Sequence, residues 1–122
     1  TFIEAAGENS IELEEIVKIM NYKKIDNYEF IKGDINQTIP EYCKKNKHLK
    51  IALLHIDTDV YEPAVTILEN MYEKVAKGGI LMFDDYGTFP GETKAVDEFF
   101  DDKDVIVQKL PYSHIPSFVV KN

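Results

Sequence analysis

Two largely apolar runs of this sequence, residues 51–56 and 80–83, are each followed by a pair of acids. The four acids are Asp57, Asp59, Asp84 and Asp85. Carboxylates gathered at one place repel one another unless one is protonated or a cation lies between them. Because oxygen ligands without cysteine or histidine suit Mg²⁺, Mn²⁺ or Ca²⁺, we expect a hard divalent cation there, with Mg²⁺ the best match.

The elements that must position these acids are two strands and the helix between them. Both runs have the length and composition of buried strands, and residues 63–77 carry apolar side chains at helical spacing. Ligands in open α/β sheets bind beyond the carboxyl ends of the strands, and paired ends lie roughly 5 Å apart. Either Asp57 or Asp84 alone is more simply interpreted as a helix cap, whereas four acids at adjoining ends favour a cation site.

The remaining patterns extend this alternation of strands and helices. They predict a helix from a cap at 9–10 through residue 20, a strand at 28–32, helices at 37–45 and 93–101, and closing strands at 105–110 and 117–121. The sequence therefore predicts an α/β fold with a doubly wound, mostly parallel sheet and a C-terminal antiparallel strand pair. Because the 122 residues contain no linker or repeat, we interpret residues 1–122 as a single domain.

Composition limits the possible partners and compartments. The chain has 22 acidic against 14 basic residues and a net charge of −8, which disfavours nucleic acid and anionic membranes as partners. No apolar run approaches the roughly 20 residues that span a bilayer. Cys43, the single cysteine, has no internal disulfide partner, and the start lacks a signal-like apolar stretch. These features predict a cytoplasmic setting.

One alternative is a Mg²⁺-dependent phosphatase. Residues 53–60 resemble the aspartate-nucleophile motif of haloacid-dehalogenase-type phosphatases. That family places a Ser/Thr motif and a Lys motif between its two acidic strands. Residues 58–83 have room for only one helix and one strand, since a parallel crossover occupies most of that length. The phosphatase is therefore the weaker interpretation.

Four segments in order, residues 51–63, 77–80, 83–87 and 90–96, resemble the macrocin-O-methyltransferase family. Its members are class I methyltransferases that use S-adenosylmethionine and Mg²⁺ and act on sugar hydroxyls. The resemblance implies a Rossmann-like fold, those two cofactors, and a sugar or glycoside acceptor. Self-association into a homo-oligomer is compatible with it.

The resemblance also implies roles for particular residues. It implies three metal ligands, Asp57, Asp84 and Asp85. Asp59 would be the general base, and Asp34 would contact the adenine end of the cofactor after the strand at 28–32. Tyr61 and Tyr86 would be candidates for the wall of an acceptor pocket, although packing in the core or at its rim is the favoured interpretation of each.

The sequence departs from this family near its start. Class I methyltransferases carry a glycine-rich first strand–loop–helix, whereas Gly7 is the only glycine before Gly33 here. In the family's strand order, 3-2-1-4-5-7-6, the chain would lack the first two strands, and the strand at 51–56 would lie at an open edge. We therefore interpret the chain as the C-terminal part of a methyltransferase domain, with an inactive binding module of the same fold as an alternative.

Overall fold

The computed structural model describes residues 11–122 of the chain. The chain divides into two units, Thr1–Ile31 and Lys32–Asn122. In the first unit, helix α1 spans Leu13–Tyr22, with Glu14 and Glu15 in its first turn. Acids at this end favour the helix because its dipole is positive there. The cap predicted at residues 9–10 lies outside the described residues.

The predicted strand at 28–32 is wrong. These residues adopt no regular secondary structure, and the rings of Tyr28 and Phe30 lie 4.9 Å apart. A strand requires a neighbour that accepts and donates its backbone hydrogen bonds. Within residues 11–122 no strand pairs with this segment, so its β-forming side chains are not sufficient to make it a strand.

The second unit alternates strands and helices, so the predicted α/β class is confirmed. Its elements are α2 (Ile35–Lys45), β1 (Ile51–Ile56), α3 (Tyr61–Met71), β2 (Val75–Phe83), α4 (Pro90–Phe100), β3 (Gln108–Lys109) and β4 (Ser117–Val120). The sheet order is β1-β2-β4-β3, in which β1 and β2 are parallel and the other two pairs are antiparallel. The closing antiparallel pair is confirmed, with a first strand shorter than predicted.

The prediction of a mostly parallel sheet is wrong for the described residues. One strand pair of three is parallel, because the segment at 28–32, expected as a further parallel strand, is not in the sheet. The observed order nevertheless corresponds to the last four positions of the family order, 4-5-7-6.

The predicted helix end at residues 77–79 is also wrong, because β2 already begins at Val75. Ile51 pairs with Val75 whereas Leu53 pairs with Ile80, so β2 contains an irregularity between these two pairs. Gly78 has φ +80°, a conformation that glycine adopts without steric cost. Two glycines are equally suited to a helix end and to such a bulge, which explains the error.

The hydrophobic core lies on one face of the sheet. Side chains of β1, β2 and β4 are buried there with side chains of α3 and α4: Leu54, Ile56, Leu81, Phe83, Val119, Ala64, Leu68, Ala95 and Val96. On the opposite face, Leu53 is 55% exposed, Ile80 37% and Val120 40%. These three residues are paired side by side across the strands, and we call them the open sheet face.

Among the described residues no helix has the length and apolar character needed to cross a membrane.

Candidate active site

The carboxyl ends of β1 and β2 meet, as the sequence predicts. Ile56 pairs with Phe83, and the N–H of Asp84 donates to the carbonyl oxygen of Ile56 at 3.0 Å. Asp57 and Asp84 therefore begin two adjacent turns at the same edge of the sheet. The register of a parallel pair is what brings acids so distant in sequence together.

The acids form two groups that share Asp57. In the first group, ligand atoms of Asp57, Asp59 and Asp85 lie within 4.8 Å of one another. In the second group, ligand atoms of His55, Asp57 and Asp84 do so. Asp57 is therefore near both Asp84 and Asp85, but these two belong to different groups.

Asp85 is the acid with the most unusual environment. It is only 7% exposed, and its Oδ2 has no hydrogen-bond partner among the described residues. Its pKa is raised to about 7, first by burial, next by the hydrogen bond and negative charge of Asp59, and then by the charges of Glu92 and Asp57. A buried oxygen without a partner, surrounded by carboxylates, favours either a proton or a cation.

Glu92 in the first turn of α4 is a site residue that the sequence reasoning missed. It is completely buried, its Oε2 accepts the N–H of Asp85 at 2.7 Å, and its Oε1 has no partner within the described part of the chain. Burial raises its pKa, while the backbone N–H groups of Asp85 and Thr58 oppose that shift. No sequence signal distinguishes it, because a glutamate in a first helical turn is ordinary on dipole grounds.

Asp59 lies in a tight turn against the start of α4. Its φ is +60°, and the N–H of Val60 donates to the carbonyl of Thr58 at 2.6 Å. The N–H of Glu92 donates to the carbonyl of Asp59 at 3.3 Å. A Cβ at Gly91 would lie only 3.0 Å from that carbonyl oxygen and 2.9 Å from the Cα of Val60. Glycine at this position therefore allows α4 to approach the Asp59 turn.

His55 was also missed as a site residue. Its Nε2 lies 3.3 Å from Oδ1 of Asp84, and both side chains are about half exposed. The signal was present in the sequence, since strand residues two apart point to the same side, and His55 is two before Asp57.

Asp34 lies at the N-terminus of α2, where its side chain accepts the N–H of Asn36 at 2.9 Å. It belongs to neither group of acids. It is therefore a helix cap, and its predicted contact with a cofactor stays a prediction.

Tyr61 and Tyr86 donate hydrogen bonds to acids of α4. The hydroxyl of Tyr61 donates to Glu98 at 2.5 Å, and that of Tyr86 donates to Asp97 at 2.8 Å. Tyr61 also lines a cleft of about 460 Å³, together with Phe99 and other residues of α3 and α4. That cleft is not lined by the site acids, so a shared acceptor pocket stays a prediction.

The donor set fits a hard divalent cation. The group of Asp57, Asp59 and Asp85 offers only carboxylate oxygens, and one of these is buried without a partner. Such ligands suit Mg²⁺. For S-adenosylmethionine, residues 11–122 contain no glycine-rich strand–loop–helix of the kind that the resemblance implies. The fit to that cofactor is therefore not evident from the described residues.

The sequence of this chain is similar to those of known O-methyltransferases. The profile of the macrocin-O-methyltransferase (TylF) family matches residues 11–117. A demethyldecarbamoylnovobiocin O-methyltransferase of Streptomyces niveus is 34% identical over 91 residues, which are 71% of this chain and 33% of that protein. The chain thus spans about a third of the length of this curated relative.

Solved structures agree with this relationship. The calicheamicin methyltransferase CalS11 is 30% identical, with a TM-score of 0.68, over 74% of this chain and 36% of that one. The O-methyltransferase NovP has a TM-score of 0.79 over 92% of this chain and 46% of its own, and at 24% identity it shows the fold alone. These matches favour the methyltransferase interpretation over the phosphatase. The chain belongs to the macrocin-O-methyltransferase (TylF) family.

Proposed function

We propose that this chain provides the cation-binding part of an S-adenosylmethionine-dependent O-methyltransferase that acts on a sugar or similar small-molecule hydroxyl. Family membership supports the type of reaction. The sugar acceptor is supported by CalS11, which is described as a TDP-rhamnose 3'-O-methyltransferase. The observation that carries the proposal is the group of Asp57, Asp59 and Asp85, with its buried, unpartnered oxygen on Asp85.

We propose three ligands for Mg²⁺, namely Asp57, Asp84 and Asp85. Asp57 is close to both of the others, and Asp85 has a free buried oxygen. When bound, Mg²⁺ would lower the pKa of an acceptor hydroxyl and fix its orientation. Protein carboxylates hold such an ion with the help of water and substrate oxygens, so three acids suffice.

Asp59 is proposed as the general base that takes the proton of the acceptor hydroxyl. The backbone of Asp59 is in a left-handed turn, and its carbonyl accepts a hydrogen bond from α4. These features hold the backbone from which the side chain extends in one position. A fixed backbone position matters because a general base works only within hydrogen-bond reach of the proton. Since Asp59 lies in the same group as Asp57 and Asp85, a ligand role is the competing assignment.

Asp34 is proposed to contact the adenine end of S-adenosylmethionine. This assignment depends on the resemblance alone. One of its carboxylate oxygens accepts the N–H of Asn36, so the other would have to make the contact.

The proposal is tested by calorimetric titration of S-adenosylhomocysteine, with and without Mg²⁺, into this chain and into any longer natural protein that contains it. A methyl-transfer assay with TDP-rhamnose and a chelator control accompanies the titration. We expect Mg²⁺-dependent transfer by the longer protein, and weak cofactor binding with little or no transfer by the chain itself. Transfer unaffected by the chelator would contradict the cation role. Phosphate release without a methyl donor would favour the phosphatase, and binding without any reaction would favour the inactive module.

A further inference from the structure

Glu92 has a location that packing alone does not explain. Glutamate is almost never fully buried unless it is paired, yet this side chain is completely withdrawn from solvent. It is not a member of either group of acids able to hold a cation. Its burial therefore points to a role within the site other than that of a surface charge.

The contacts of Glu92 join the two turns that carry the site acids. Its Oε2 accepts the N–H of Asp85 at 2.7 Å, across a loop rather than within its own helix. Its own N–H donates to the carbonyl of Asp59 at 3.3 Å. One residue of α4 is thus bound to both turns, to the Asp85 turn through its side chain and to the Asp59 turn through its backbone N–H.

These contacts oppose a repulsion within the site. Ligand atoms of Asp57, Asp59 and Asp85 lie within 4.8 Å of one another, and when all three are ionised without a cation their charges repel. The hydrogen bond from Asp85 to Glu92 supplies a restraint on one turn, and the bond to Asp59 supplies a restraint on the other.

We propose that Glu92 is a positioning residue: its side chain holds the Asp85 turn, at the spacing that cation binding requires, against the Asp59 turn to which the Glu92 backbone is bound. The inference rests on the proposed function, because it assumes that the acids bind a divalent cation. The length of the Glu92 side chain and its acceptor oxygen provide the restraint on the Asp85 turn, whereas its negative charge is not needed for it.

Three substitutions separate reach from charge. Glu92→Gln keeps the length and one acceptor oxygen for the N–H of Asp85 but removes the charge. Glu92→Asp keeps the charge but is one methylene too short, and Glu92→Ala removes both. Glu62, an exposed residue in the first turn of α3, provides matched control variants with the same changes.

The measurement is the affinity of the chain for Mn²⁺ alone, followed by electron paramagnetic resonance, with circular dichroism to establish that each variant is folded. Supporting groups behind metal ligands typically affect affinity about 10–100-fold, so we expect losses of that order for Glu92→Asp and Glu92→Ala. We expect Glu92→Gln to stay within about threefold of the unchanged chain, well inside that range. The Glu62 variants should bind as the unchanged chain does.

The outcomes are distinguishable. Weak binding by Glu92→Asp with retained binding by Glu92→Gln supports the inference, and a merely structural role would lower thermal stability without this pattern of affinities. The reverse pattern, or folded variants that all bind normally, overturns the inference while leaving the proposed cation site intact. No Mn²⁺ binding by the unchanged chain overturns both. If Glu92→Ala does not fold, the comparison of Glu92→Gln with Glu92→Asp still decides.

Discussion

Asp59 and Asp84 belong to different groups around Asp57, and this difference allows base and ligand to be separated. Asp59 is grouped with Asp57 and Asp85, whereas Asp84 is grouped with Asp57 and His55. In the active protein that contains this chain, Asp59→Asn should lower turnover about 10²–10⁴-fold with little change in Mg²⁺ affinity, because an amide cannot accept the proton.

Asp84→Asn should instead weaken Mg²⁺ binding, so that activity partly returns at high Mg²⁺ by mass action. Titration of the rate against Mg²⁺ for both variants decides between the two assignments. If Asp59→Asn is the variant that Mg²⁺ rescues, then Asp59 is a ligand and the proposed roles are reversed.

The raised pKa of Asp85 predicts a pH dependence of stability. Its pKa is about 7 in the folded chain, against an ordinary value of 3.8. Between these values the folded chain holds a proton that the unfolded chain has released, so stability falls as pH rises through this window. Without divalent cations, the midpoint of thermal unfolding should fall from pH 5 to pH 7.5, as followed by circular dichroism.

Asp85→Asn is the control for this pH dependence, because it removes the titrating carboxyl at nearly constant volume. Its midpoint should change less over the same pH range. Mg²⁺ should stabilise the unchanged chain more at pH 8 than at pH 5.5, since a protonated carboxyl is a poor ligand. Equal pH profiles for the two chains would show that Asp85 is not the titrating group.

At the scale of the elements, the start of α4 sets the geometry of the Asp59 turn through Gly91. A Cβ at this position would lie 2.7 Å from the N of Tyr61, closer than side chains tolerate. Gly91→Ala should therefore destabilise the chain by about 1–3 kcal/mol, the usual cost of overpacking. Urea unfolding measures this loss, with Thr88→Ala at an exposed position of the preceding loop as a control. An Ala variant as stable as the unchanged chain would show that α4 moves away without cost.

The parallel pair is the part of the fold and site that the sequence predicts best. Apolar runs of strand length separated by one helix determine that β1 and β2 are parallel, and the adjacency of Asp57 and Asp84 follows from the register. The segment at 28–32 has suitable side chains, but strand formation depends on a partner that local pattern cannot reveal. Burial of Glu92 depends on how α4 sits over two turns, which is a tertiary property.

At the scale of the whole molecule, the open sheet face is an apolar surface that no other element of the second unit, Lys32–Asn122, covers. Leu53, Ile80 and Val120 lie side by side there, and β1 has an unpaired edge beside them. Apolar faces and free strand edges promote association with other surfaces. We expect the 122-residue chain to bind an apolar fluorescent dye and to associate as its concentration rises.

Leu53→Lys should reduce both dye binding and association, because it places a charge on this surface beside the unpaired edge of β1. The matched control is Ile106→Lys, since Ile106 is 77% exposed and lies outside the open sheet face. Dye fluorescence and sedimentation velocity make the measurements. Equal effects of the two substitutions would mean that the open sheet face is not the surface responsible.

The central claim is that the acids at the ends of β1 and β2 form one divalent-cation site, and Asp57 tests it most directly because both groups share it. The measurement is calorimetric titration of Mg²⁺ into the unchanged chain and into Asp57→Asn at pH 8. We predict a single binding event that is abolished or weakened at least about tenfold in Asp57→Asn, as expected for loss of an anionic ligand. Absence of binding to the unchanged chain, or equal binding to both, would contradict the claim.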